Sequence, residues 1–134
     1  MGSILIIDDE EDIRDALQMV LERAGHKVNT ASNGKEAVEM QRKEPADLVI
    51  TDIIMPDQDG VSAIREIRAE FAGVRIIAIS GGGGAEPVAY KPDAITTTAY
   101  LAAAKAAGAD RIFTKPFERG DLLQAVDELL TRLH

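Results

Sequence analysis

The chain has no cysteine, no tryptophan and only 4% aromatic residues. Without cysteine it can form neither disulfides nor thiolate metal sites. Positive charge is also scarce. Its 134 residues carry 15 Lys and Arg against 23 Asp and Glu, a formal net charge of −8. Nucleic-acid backbones select basic surfaces, so direct nucleic-acid binding is not expected. The longest aliphatic run, Ile4, Leu5, Ile6 and Ile7, is far too short to cross a bilayer. The N-terminus lacks the basic region, long apolar stretch and cleavage site of a secretion signal. Ile6 stands where myristoylation needs Ser or Thr. No membrane insertion and a cytoplasmic location are the expectation. The two histidines, His26 and His134, are far apart in the chain. They read as surface residues rather than a metal pair.

What is present is a regular alternation. With 46% hydrophobic residues, a chain of this length forms one domain. It buries roughly two-thirds of the surface its unfolded form exposes. Residues 4–7 read as a buried strand. Ile13, Leu17, Val20, Leu21 and Ala24 then recur at helical spacing, and Gly25 suits the helix end. Residues 27–31 form a second strand, and Asn33 caps a helix to about Gln41, with Pro45 beyond it. Residues 47–51 are an apolar strand leading into Asp52. Val61, Ile64, Ile67 and Phe71 outline a third helix, and residues 75–80 a strand. Residues 98–107 are a helix ended by Gly108, and 111–114 a fifth strand. Leu122, Leu123, Val126, Leu129, Leu130 and Leu133 stripe a final helix. Apolar strands alternating with helices predict a doubly wound, five-stranded parallel sheet flanked by five helices. Residues 81–97, rich in glycine, form an extended loop, long for a strand-to-helix connection. No repeat or linker is visible, so residues 1–134 read as a single domain without an attached output domain.

In such a sheet, ligands bind beyond the carboxyl ends of the strands. Asp8, Asp9 and Glu10 follow the first strand, Asp52 the third, Ser80 the fourth, and Lys115 with Pro116 the fifth. Asp8 and Asp9 taken singly suit helix capping, Asp52 suits a turn, and Lys115 suits a solvated surface. Their joint occurrence at four strand ends favours a site. Like charges gathered at one point raise a member's pKa or bind a cation. Mg²⁺ prefers one or two carboxylates completed by water and phosphate oxygens. A carboxylate nucleophile, a metal, an ammonium group and a hydroxyl are the parts that in-line phosphoryl transfer requires.

These residues carry a family resemblance. Ile6-Ile7-Asp8-Asp9-Glu10, then Thr51-Asp52-Ile53-Ile54-Met55-Pro56 with Asp59-Gly60, then Ser80, and finally Gly108-Ala109 leading to Lys115-Pro116-Phe117, resemble the receiver domain of two-component response regulators, in its stand-alone form. The resemblance implies a flavodoxin-like fold. It implies that Asp52 takes a phosphoryl group from a sensor histidine kinase or histidine phosphotransfer protein, and that a downstream protein reads the result. It implies Mg²⁺ or Mn²⁺ bound by Asp9 directly, by Asp8 through water, by Asp52 and by the Ile54 carbonyl. Lys115 would bridge to the phosphoryl group and Ser80 would move to bind it. Such a protein catalyses its own phosphorylation and dephosphorylation without being a conventional turnover enzyme.

The chain departs from the family pattern at two places. The switch position three residues before the lysine, usually aromatic, is Ile112, and strand alternation sends Phe113 to the other face. The loop at 81–97 is about a dozen residues longer than usual, beyond ordinary loop scatter. This loop is expected to be ordered or repositioned by phosphorylation and, with the following helix and Ile112, to form the partner surface, to which Tyr90 and Tyr100 contribute. Competing functions fit less well. A haloacid-dehalogenase-type phosphatase would need an acid at Ile54, which transfers no proton. A P-loop reading of residues 81–84 lacks the following Gly-Lys-Ser/Thr. A phosphorylation-independent binding module and a phosphate sink in a phosphorelay stay open as alternatives.

Overall fold

Every residue of the segment 4–7 is buried, as is every residue from Leu48 to Asp52. Strands apolar on both faces belong in the middle of a sheet covered by helices. The computed structural model describes residues 2–52, 60–80, 102–114 and 117–131. In it, β1 (Ser3–Ile7), β2 (Lys27–Ala31), β3 (Leu48–Asp52), β4 (Arg75–Ser80) and β5 (Arg111–Thr114) form one sheet in the order β2-β1-β3-β4-β5. All four pairings are parallel. The helices are α1 (Glu11–Arg23), α2 (Gly34–Lys43), α3 (Gly60–Glu70), the helical residues 102–107 (α4) and α5 (Arg119–Thr131).

Strand alternation sorts the core into two layers. Leu5, Ile7, Val49, Ile76 and Ala78 pack with Val38 of α2, Ile64 and Ile67 of α3 and Ala104 of α4. Ile4, Ile6, Leu48, Ile50, Ile77 and Ile79 pack with Leu21 of α1 and Leu122, Val126 and Leu129 of α5. Ile112 joins the first layer and Phe113 the second, so the expected split of these neighbours holds. Phe113 meets Phe117 with ring centroids 5.6 Å apart. Each fully buried aliphatic side chain contributes roughly 1.5–3 kcal/mol. The core therefore makes a rigid platform for the strand ends.

Helix ends follow local chemistry. The Asn33 side chain accepts a hydrogen bond from the Glu36 N–H at 2.8 Å, so Asn33 is the N-cap of α2. That helix runs two residues past the expected Gln41. Gln41 turns inward and its side-chain amide bonds both the N–H and the carbonyl of Ala46, each at 2.9 Å, which closes the turn at Pro45. Gly25 and Gly108, which follow α1 and α4, have positive φ angles of 99° and 128°, a conformation that favours glycine.

Two expectations need correction. His26 is not a surface residue: it is 7% exposed, and its Nδ1 accepts the Gly2 N–H at 3.1 Å. It sits where α1 turns into β2, and its ring lies between the Gly2 N–H and Asp127, whose Oδ1 is 3.8 Å from its Nε2. Ala24, read as part of the buried stripe of α1, is exposed, because it caps the helix end. His134, Leu133, Tyr90, Tyr100 and the whole of 81–97 lie outside the described residues.

Candidate functional site at the β1/β3 crevice

The strand order reverses direction between β1 and β3, because the chain builds outward to β2 on one side and to β4 and β5 on the other. Such a switch point opens a crevice at the carboxyl ends of the two strands. The register pairs Ile7 of β1 with Thr51 of β3. Asp8 and Asp52 each stand one residue beyond that rung, at the crevice. Both are buried, with 3% and 7% exposure. Burying a carboxylate is expensive unless it is paired or binds a cation, so two at one crevice mark a site.

Asp8 is held from three sides. Its N–H donates to Ala31 O at 3.1 Å, and its Oδ1 accepts the Glu10 N–H at 2.9 Å. Its main-chain carbonyl accepts a bond from Arg14 Nη1 at 2.6 Å. Asp9 and Glu10 are exposed. One carboxylate oxygen from each of Asp8, Asp9 and Glu10 lies within 4.8 Å of the others. Glu10 is also the N-cap residue of α1, with no side-chain capping bond. The capping reading of the acidic pair is met by the bond that the Glu10 N–H donates to Asp8 Oδ1. An all-oxygen, all-anionic donor set of this kind fits a hard dication such as Mg²⁺.

Asp52 ends β3, and its side chain continues the face of Leu48 and Ile50. The fully buried Thr51 hydroxyl donates to the Asp52 carbonyl at 3.0 Å, satisfying a strand-end acceptor. Ser80 ends β4 and pairs in register with Thr114, the residue before Lys115. The Ser80 side chain, Ile54 and Lys115 lie outside the described residues. Ile112 is half-buried and packs against the first core layer as an aliphatic residue.

The structure thus brings Asp8, Asp9 and Asp52 to the ends of adjacent strands. Sequence reasoning missed Glu10 as a potential donor and Arg14 and Thr51 as supports. Arg14 left a signal, being the only base among the five acids of residues 8–12 and Asp15.

Comparison with known proteins agrees with this geometry. The model of the response regulator receiver domain family matches residues 4–127. The chemotaxis protein CheY of Halobacterium salinarum is 36% identical over 128 residues, 96% of each chain. The response regulator SaeR of Staphylococcus aureus is 31% identical over 133 residues, 99% of this chain, which spans only 52% of SaeR. Among solved structures, the response regulator TrrA of Thermotoga maritima, in complex with Mg²⁺ and beryllofluoride, is 32% identical with a TM-score of 0.75, covering 96% of this chain and 99% of TrrA. Receiver domains are signalling proteins rather than conventional enzymes, and among the described residues no helix is long and apolar enough to cross a membrane. The family match over nearly the whole chain, on a five-stranded sheet with acidic residues at its switch point, means that this protein belongs to the response regulator receiver domain family.

Proposed function

We propose that the protein is a phosphoacceptor in which Asp52 takes a phosphoryl group from the phosphohistidine of a sensor histidine kinase or histidine phosphotransfer protein. The observation that carries this reading is the pair of buried carboxylates, Asp8 and Asp52, one residue beyond the same rung at the β1/β3 crevice. An Asp52 oxygen attacks phosphorus, the bond from phosphorus to the donor imidazole nitrogen breaks, and the imidazole leaves with its electron pair. A mixed anhydride remains on Asp52.

Asp9, Asp8, Asp52 and the Ile54 carbonyl would hold Mg²⁺ or Mn²⁺. The ion, when bound, neutralises charge on the transferring phosphoryl oxygens. The exposed Asp9 is free to meet an ion directly, whereas Asp8, buried and engaged by the Glu10 N–H, suits a contact through water. Lys115 would pair with a phosphoryl oxygen. Ser80 would donate its hydroxyl to another. Each such charge-assisted bond is worth about 1.5–3 kcal/mol, enough to bias a two-state element. Ile112 offers no aromatic rotor. The response then passes to residues 81–97 and to a downstream protein that binds there. A cytoplasmic location goes with this reading.

Exposure to a phosphohistidine donor, followed by intact mass measurement, tests the reading. One added phosphoryl group per chain is expected in Mg²⁺ and none in a chelator. A passive binding module would gain none in either condition.

A further inference from the structure

Arg14 sits one turn into α1, amid carboxylates, yet its Nη1 bonds the main-chain carbonyl of Asp8 at 2.6 Å. Among the described residues it forms no ion pair, although Asp9, Glu10, Glu11, Asp12 and Asp15 are near it in the chain. The carbonyl it holds belongs to the peptide unit that joins Asp8 to Asp9. That unit is planar, so fixing its oxygen fixes the plane from which the Asp9 backbone departs. The Asp8 N–H is already tied to Ala31 O and its Oδ1 to the Glu10 N–H. The Arg14 N–H makes the ordinary helical bond to Glu10 O at 3.0 Å, so the guanidinium reaches back to Asp8 from a backbone already fixed in α1.

We infer that Arg14 is a positioning residue that sets the approach of the Asp9 carboxylate to the metal. The inference rests on the metal site of the preceding subsection. Its sign separates it from a plain electrostatic role. A guanidinium beside a cation site repels the cation, so removing it would tighten Mg²⁺ binding if charge alone mattered. If positioning dominates, removing it loosens binding even though a repulsive charge is gone. Supports one step removed from a metal commonly account for 10–100-fold in affinity.

The test is calorimetric titration of Mg²⁺ into the parent chain, Arg14→Met, Arg14→Lys and Asp9→Ala, each shown by circular dichroism to be folded at the working temperature. Arg14→Met is expected to bind about 10-fold more weakly than the parent. Arg14→Lys, which keeps the charge and one donor, is expected to fall between them. A merely structural role would lower the melting temperature without Mg²⁺ and leave the affinity of the folded chain unchanged. Equal or tighter binding in Arg14→Met overturns the inference. Should Arg14→Met fail to fold, equal affinity of Arg14→Lys and the parent overturns it. The underlying metal assignment fails by a different result, namely no Mg²⁺ binding by the parent or equal binding by Asp9→Ala.

Discussion

Among the described residues, charged side chains at the amino-terminal edge of the sheet meet opposite charges, whereas at the carboxyl-terminal edge three acidic side chains lie close together. Arg68, on α3, donates to the carbonyls of Ala72, Val74 and Gly108 and to Asp110 Oδ2 at 2.5–2.9 Å. Asp110 in turn accepts the Ile76 N–H at 2.8 Å. Lys27 pairs with Glu44, and Arg111 with Glu128. Arg42 and Glu70 join the ends of α2 and α3 through two bonds of 2.6 and 2.7 Å. The hydrogen bonds from Lys27 and Arg42 hold the carboxyls of Glu44 and Glu70 below the usual carboxylate range. At the other edge, Asp8, Asp9 and Glu10 converge with Arg14 spent on a carbonyl. One edge pairs its charges; on the proposed function, the other gathers negative charge for a cation.

Substitutions at the two edges should therefore separate function from stability. The largest effect belongs to Asp52→Asn, which keeps shape and removes the nucleophile. Phosphoryl uptake from a phosphohistidine donor, read by mass, should vanish while the circular dichroism spectrum is retained. Arg68→Ala should do the opposite. Loss of its charge-assisted bonds should lower unfolding free energy by about 2 kcal/mol in urea, with Mg²⁺ affinity unchanged. Asp9→Ala should weaken Mg²⁺ by at least about 10-fold. Its melting temperature without metal should equal or exceed that of the parent, because repulsion eases.

The smallest effect concerns His26. Burial, then the N-terminal amine, push its pKa below the ordinary 6.5, against a smaller opposing influence from Asp127. Protonation would also remove the acceptor for the Gly2 N–H. The unfolded chain thus takes up a proton before the folded one does. His26 contributes stability above about pH 6.5 that is lost as pH falls from there toward the lower folded pKa. The pH dependence of urea unfolding between pH 7.5 and 5 should be shallower in His26→Gln than in the parent. Identical slopes would mean that the buried ring is not what titrates.

Much of this was legible beforehand because two periodicities are simple. The segments around Ile4 and Val49 had to be buried strands, and their alternation with helices pointed to a parallel sheet, to which the structure adds the strand order β2-β1-β3-β4-β5. Asp8, Asp9 and Asp52 were legible because a parallel sheet delivers strand ends to one edge. Arg14 and Thr51 were not, since their role is to bond main-chain carbonyls, and a carbonyl has no letter in the sequence. His26 was misread for a related reason. A lone histidine between a helix and a strand looks exposed until the N-terminal strand folds back and supplies the N–H that its ring accepts. The end of α2 was also short by two residues, because nothing in the letters says that Gln41 will turn inward to cap Ala46.

On the proposed function, the β1/β3 crevice binds a phosphoryl group on Asp52 beside a cation. Beryllofluoride, which mimics a phosphoryl group on a carboxylate, tests it without any donor protein. Fluorine NMR of the parent chain with beryllofluoride should show one bound species per chain in Mg²⁺, none in a chelator and none in Asp52→Asn. A bound species that persists in Asp52→Asn, or its absence from the parent in Mg²⁺, would mean that Asp52 is not the phosphoacceptor.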